Sequence, residues 1–358
     1  MRSLRLSSSV VAAALVCSTV VDAQWLNQRT PGIPRTADGT PDLDAPVPRL
    51  ASGTPDLSGY WSQRLPPVYM LDITADLPRD AVLPAAARLF EERLSEYGKD
   101  DPATIGCLPS GPRHIVGGPT AATVQIVQTP TMLVMMFEDL VHRRIHLDGR
   151  PLPIDPNPSF LGYSVGTWDG DTLIVETIGF NGRTWLDFGG HPHGERLKTI
   201  ERFRRTSFGA IDREVTLIDE EFYRQPIVLR LPMTFTADTD MLEYVCNENP
   251  RSRPHLVGRT ESERKVVVRP EILRRYEGSY DVVGENRGII RQFSLSLENG
   301  VLYLSLNGKG RVPLQPMSQN TFSARVTGTL EFFVDASGKV THVMSHTAEG
   351  DTRYQQVR

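Results

Sequence analysis

From Thr123 to the C-terminus the sequence is a succession of short segments in which apolar and polar residues alternate, and this pattern restricts the fold more than any other feature. VQIVQTPTMLVMMFE, RRIHLDG, DTLIVETIGF, DREVTLIDEEFY, IVLRLPMTFTAD and MLEYVC follow one another, with Gly, Asn and Asp between them. Alternation with a period of two puts apolar side chains on one face of a strand, and the punctuating residues supply turns. Segments this short and closely spaced predict an antiparallel sheet or barrel, because parallel strands would each need a long crossover between them. The plan recurs near the end. QFSLSLENGVLYLSL alternates Phe293, Leu295 and Leu297, turns at Asn299-Gly300 and resumes at Leu302, Leu304 and Leu306. FFVDASGKVTHVMSH repeats it around Ser337-Gly338. One helix stands out over residues 84–97, PAAARLFEERLSEY, with Gly98 as its stop. The expected fold class is mainly β, with two successive antiparallel barrel-like domains and this short helix.

A chain of 358 residues suits roughly two domains. Arg2 and Arg5 precede an apolar run from Val10 to Val21, and Val21-Asp22-Ala23 offers a cleavage site before Gln24, so residues 1–23 read as a secretory signal. The run is too short to cross a bilayer as a helix. Residues 24–57 are rich in Pro, Gly, Thr and Asp and repeat GTPDL at Gly39 and Gly53, which predicts an extended, poorly packed arm with a local duplication. The expected order is then a β-rich ligand or catalytic domain over 58–258, a charged linker over 259–268 and a small β domain over 269–358.

Export constrains the chemistry. The formal net charge of -4 becomes one unit more negative once a signal with two arginines and one aspartate is removed, and no basic patch emerges. Nucleic acid and anionic membrane surfaces need clustered Lys and Arg, so neither is an expected partner, and no stable membrane insertion is expected. Of the 3 cysteines, Cys17 leaves with the signal, so Cys107 and Cys246 remain in an oxidising compartment, where a pair is more often bonded than free. The predicted location is periplasmic or extracellular. No cofactor is expected.

Two stretches carry resemblances. Residues 269–358, with YEGSYDV, LENGVLYLSLNGKGRVPLQPMSQNTFSA and DASGKVTHV, resemble the lipocalin-like β domain that follows the catalytic domain of many β-lactamase-related serine hydrolases. This implies a lipocalin/calycin-like barrel. The β-lactamase catalytic domain is missing, and Ser262-Glu-Arg-Lys265 matches SxxK only inside the charged linker. Residues 55–250, with PDLSGYW, CLPSGPR, HLDGRPLP, GYSVGTWDGDTLIVETIGFN and HPHGERLKTIERFRR, resemble an uncharacterised exported bacterial family with PDLSGxW and GxSxGxWxGDTLxVET motifs. That resemblance implies export and brings no activity. Where the family tends to have Cys-His-Glu, this chain has Cys246-Asn247-Glu248, so no role of that His transfers.

The polar chemistry is concentrated between Phe160 and Arg205. Ser164 completes a GxSxG, but the following Trp168-Asp169-Gly170-Asp171 is a hairpin turn, and the strand–elbow–helix of an α/β-hydrolase is absent. His191, His193 and Glu195 alternate and could chelate a metal in an extended segment, yet Pro192 and Gly194 make the segment a loop without a placed further ligand. No metal is assigned. His193 is instead the candidate acid or base if a carboxylate such as Asp187 or Glu201 orients it, with its role against His191 left open, and a surface loop of solvated histidines is the alternative. Glu138, after LVMMF, and Glu176, within LIVETI, are expected on buried strands, where a carboxylate needs Arg or hydrogen-bond donors as partners. A structural ion pair is the alternative for both. The candidate catalytic set is therefore His193, Glu176, Glu201 and Glu138, with Tyr163, Trp185, Trp168, Arg150 and Arg202 as substrate-binding groups, all before residue 269.

Two functions of different kind fit these residues. One is an exported, cofactor-independent acid-base enzyme, a hydratase or lyase, cyclase or isomerase, or hydrolase, acting on a small apolar or aromatic-walled substrate. The other is a non-enzymatic carrier or sensor of a similar molecule. The sequence does not fix the oligomeric state.

Overall fold

The computed structural model describes residues 28–63, 65–118, 122–246, 266–286, 290–324, 328–347 and 350–357. The expected signal, the SxxK match and most of the charged linker lie outside them, as do Asn247 and Glu248.

The fold is mainly β, in two barrel-shaped sheets. The first sheet contains β1 (Gly59–Gln63), β2 (Thr123–Gln128), β3 (Met132–Phe137), β4 (His142–His146), β5 (Tyr163–Asp169), β6 (Thr172–Ile178), β7 (Lys198–Ser207), β8 (Ala210–Ile218), β9 (Ile227–Arg230) and β10 (Met233–Phe235). Neighbours in sequence pair antiparallel, except for a short parallel contact between β4 and β5. The exception has a cause: the connection from Leu147 to Gly162 must carry the chain back along the barrel before β5 begins. β9 and β10 run along one line beside β8, since Glu214 faces Arg230 and Ile211 faces Met233 in the same register. β10 also pairs with β1 and so closes the ring.

The second sheet contains β11 (Gly278–Val282), β12 (Gln292–Glu298), β13 (Val301–Leu306), β14 (Lys309–Pro313), β15 (Gln315–Pro316), β16 (Thr321–Ala324), β17 (Gly328–Val334), β18 (Val340–Thr347) and β19 (Gly350–Val357). β14 pairs with β13 and its continuation β15 with β16, while β19 pairs with β11, so this sheet closes as well. Asn299 and Gly300 both take positive φ and join β12 to β13 in the expected hairpin. The interior is filled by Tyr276, Tyr280, Phe293, Phe322, Phe332 and Tyr354 among aliphatic residues, with Tyr276 stacked on Phe332 at 4.1 Å.

The described residues also contain α-helices. They are α1 (Pro67–Leu71), α2 (Pro84–Ser95), α3 (Pro102–Gly106), α4 (Pro112–Val116) and α5 (Pro270–Leu273). α2 is the expected helix, and Tyr97 and Gly98 end it at positive φ, with the Gly98 N–H returning to the Arg93 carbonyl. α1 lies against β14, and its Leu71 belongs to the apolar cluster of the second barrel. Arg311 reaches Glu91 at 3.2 Å and Lys309 pairs with Asp76, so charge pairs also tie the barrels together.

The arm departs from expectation. Its described part is anchored rather than loosely packed: Leu57 is buried, Ile33, Leu43 and Ala45 pack on the first barrel's core, and the N–H groups of Phe208 and Gly209 donate to Ala45 and Leu43. The duplication is structural. Arg35 and Arg49 head equivalent turns, each donating to the carbonyl of the GTPDL glycine, Gly39 or Gly53, and each reaching a barrel aspartate, Asp238 or Asp171. Richness in Pro, Gly, Thr and Asp predicts turns but not their looseness, because an arm buries its apolar residues one at a time, at turn spacing rather than strand spacing.

Candidate functional site

Inward positions of the first barrel are partly charged. Glu201 on β7 is fully buried between Arg143 on β4 at 2.5 Å and Arg213 on β8 at 2.6 Å. Arg143 also donates to Ser164 and Thr177, and Arg213 to Gln63. Burial alone would raise the Glu201 pKa, but the two guanidinium groups outweigh it and hold the carboxyl below its usual range. Both of its oxygens are engaged, so this carboxylate cross-braces three strands. Ser164 is buried within a strand and bonded to Arg143 and Thr177, with none of the exposure that a nucleophile elbow gives.

The other sequence candidates do not converge on Glu201. Glu176 lies on the outer face of β6, half exposed, and pairs with Lys198 at 2.5 Å. The expectation of a buried strand failed for its side chain because Leu173, Val175 and Thr177 take the inward positions, which leaves Glu176 outside. Arg202 is exposed on β7 for the same reason. Arg150 is exposed and bridges Asp148 to the Tyr163 hydroxyl on the barrel exterior, where His146 stacks on Tyr163 at 5.1 Å. Trp168 packs at the edge of the first barrel's apolar cluster. Glu138 is half-buried just past β3, and its carbonyl accepts from the Tyr244 N–H.

The loop from Phe180 to Leu197 is a buried plug against which α2 and α4 pack. Arg93 of α2 lies over the Trp185 ring at 4.8 Å and donates to the Gly190 carbonyl. His191 shares 2.5 Å with Asp187 through Nδ1 and stacks on Phe90 at 3.9 Å. Burial would lower the His191 pKa, but the charge and hydrogen bond of Asp187 prevail and raise it. His193 points elsewhere, with Nε2 2.9 Å from Thr184 Oγ1 and Nδ1 3.2 Å from the Gly194 carbonyl. Burial pushes its pKa down to about 4. With Glu195 exposed, the HxHxE run does not come together. Asp72, Asp187 and His191 bring one ligand atom each within 4.8 Å of one another, the arrangement among the described residues nearest to a cation site. Asp187 already accepts from the N–H groups of Ile73, Gly190 and His191, and Asp72 from Thr74, so the cluster is complete as a hydrogen-bonded network.

A different set faces a cavity. The α4 turn carries Ser110 and His114 four residues apart, and Asp139 follows β3. Ser110 Oγ lies 2.9 Å from His114 Nδ1, and His114 Nε2 lies 2.8 Å from Asp139 Oδ2. A carboxylate only accepts, so the imidazole proton sits on Nε2 and Nδ1 is left to accept from the serine hydroxyl. The His114 ring stands edge-on to Phe137 at 4.9 Å, which fixes its plane. Ser110 and Asp139 line a cavity of about 190 Å³ together with Arg113, Phe188, Tyr244 and the bonded Cys107–Cys246 pair. Arg113 is held by two hydrogen bonds to Asp101, at 2.7 and 2.9 Å, while its buried Nε has no hydrogen-bond partner among the described residues.

The cysteine pair shapes this cavity. The Cα atoms lie 5.7 Å apart, within the range expected of a bonded pair. The bond closes a separation of 139 residues and pins the segment carrying Tyr244 over the α3–α4 turn. His193 supports the same turn from behind. A side chain on Gly111 would clash with Thr184 Oγ1, so Thr184, which is hydrogen-bonded to His193, packs directly against the residue after Ser110.

A larger cavity of about 260 Å³ lies between the barrels, walled by Leu71, Leu94, Tyr97 and Ile105 on one side and Val312, Pro313, Gln315 and Ser323 on the other. The sequence placed every pocket residue before 269, so these second-barrel walls were missed. Of the plug, Phe188 lines both cavities and Gly189 the one between the barrels, so the predicted His and Trp groups face neither. No helix among the described residues is long and apolar enough to cross a membrane. In comparison with known proteins, no family model matches the chain, and no curated protein does.

Proposed function

We propose that this chain is an exported, cofactor-independent hydrolase of small ester-like or activated acyl substrates, with Ser110 as nucleophile, His114 as base and Asp139 as its orienting carboxylate. The observation that carries the reading is the Ser110–His114–Asp139 relay, with hydrogen bonds of 2.9 and 2.8 Å, at the wall of a cavity. Ser110 Oγ attacks the acyl carbon as its proton passes to His114 Nδ1. When the C–O bond breaks, the leaving alkoxide takes that proton from His114. Water then attacks the acyl-serine, giving its proton to Nδ1, and the carboxylic acid departs as Ser110 recovers its hydrogen. Throughout, His114 Nε2–H remains bonded to Asp139, which stabilises the transient imidazolium. Arg113 lines the same cavity, and its Nε–H, buried and without a hydrogen-bond partner among the described residues, is the donor on that side for negative charge that a small rotation would bring to the substrate.

Hydrolysis of p-nitrophenyl acetate by the parent protein and by Ser110→Ala tests the reading. The variant should lose at least about a thousandfold in kcat/KM while its Tm stays within about 2 °C. Equal turnover by the two proteins would remove Ser110 from the mechanism. A carrier is the second reading, favoured by the mainly apolar cavity between the barrels, and it predicts binding of apolar molecules with no turnover.

A further inference from the structure

The geometry points to a substrate with an apolar tail of medium length, held in the cavity between the barrels while its acyl carbon sits at Ser110; this rests on the hydrolase reading and names its substrate class. The two cavities share Thr104 and Phe188, so the walls of the inter-barrel cavity begin where those of the Ser110 cavity end. The inter-barrel cavity is lined chiefly by aliphatic and aromatic groups, and a volume of about 260 Å³ suits an alkyl chain or a single ring system rather than a polymer. Its far wall is supplied by the strand formed by β14 and β15, the strand that closes the second barrel. The second barrel's own interior is filled by its aromatic cluster, so its contribution to binding is this outer face.

The placement is held from both sides. Leu71 of the first unit is buried among the core residues of the second, and the Arg311–Glu91 and Lys309–Asp76 pairs flank the contact. Ser323 and Gln315 are the half-buried wall residues whose enlargement fills the cavity without entering either barrel core. The second barrel thus sets tail specificity, and the first carries the reacting groups.

The experiment compares kcat/KM for p-nitrophenyl octanoate and p-nitrophenyl acetate, and in parallel the binding of cis-parinaric acid by fluorescence. In the parent protein the octanoate-to-acetate ratio should be at least roughly a hundred, because the octanoyl chain carries six more methylenes and each one buried strengthens binding severalfold. Ser323→Phe, and separately Gln315→Trp, should lower that ratio at least tenfold and weaken cis-parinaric acid binding by a similar factor. A flat chain-length profile, or a ratio unmoved in both variants, overturns the tail site while Ser110-dependent acetate turnover keeps the hydrolase reading. If neither ester is turned over, the hydrolase reading fails, and the binding arm still decides the tail site: unchanged affinity in both variants overturns it.

Discussion

Glu201, His193 and Ser110 show how differently three buried polar side chains can be employed in one domain. Glu201 is bracketed by Arg143 and Arg213, and removing it leaves two buried guanidinium groups without a counter-charge. Glu201→Ala should therefore destabilise the protein by about 3 to 5 kcal/mol, read as a lower denaturant midpoint at unchanged m-value. A stability change under about 1 kcal/mol would mean that the arginines are solvated or paired otherwise. His193 is held neutral in the folded state, with its pKa down at about 4 against an ordinary 6.5. Between those two values the unfolded chain binds a proton that the native state refuses, so the contribution of His193 is complete above pH 6.5 and is lost as the pH falls toward 4. The shift corresponds to about 3 kcal/mol. His193→Gln should melt lower than the parent at pH 7.5 yet lose less stability between pH 7 and 4.5, and parallel pH profiles would show that His193 is not buried neutral. Ser110 differs from both because it meets a cavity wall, which is where a hydroxyl relayed through an imidazole can reach a substrate.

At the scale of elements, the strands were legible because their period of two is imposed by burial of one face, and the Asn299-Gly300 turn because few residues tolerate two successive positive φ values. α2 and its Gly98 stop were legible for the same kind of reason. The site was far less so. Charged and aromatic residues are densest from Phe160 to Arg205, but a sheet sorts neighbours onto opposite faces: Glu201 lies inside, while Glu176 and Arg202 lie outside. The same effect operates past β3, where Glu138 drew attention and its neighbour Asp139 is the carboxylate that meets His114. A signal existed in CLPSGPRHIVGG. Ser110 and His114 stand four apart around Pro112, a spacing that one helical turn brings together. Nothing local announces that a residue 25 positions later completes the relay, because that contact depends on how β3 returns past α4.

At the scale of the molecule, the two barrels divide labour by what fills them. The second is packed with aromatic rings and offers an outer face, whereas the first closes around an ion-paired interior and has the Ser110 cavity beside the Cys107–Cys246 bond. On the chain-entropy account a bond across a separation of 139 residues is worth roughly 4 to 5 kcal/mol, and here it also fixes one wall of the Ser110 cavity. The relay at that wall is the centre of the account, and its chemistry can be tested without knowing the natural substrate. The folded protein is incubated with a fluorophosphonate, whose phosphorus is attacked by an activated serine oxygen with loss of fluoride, and intact mass and peptide mapping locate the adduct. The account predicts one adduct per chain on Ser110, absent in Ser110→Ala and much slower to form in His114→Ala. No adduct on the folded chain, or an adduct at any other serine, would contradict it.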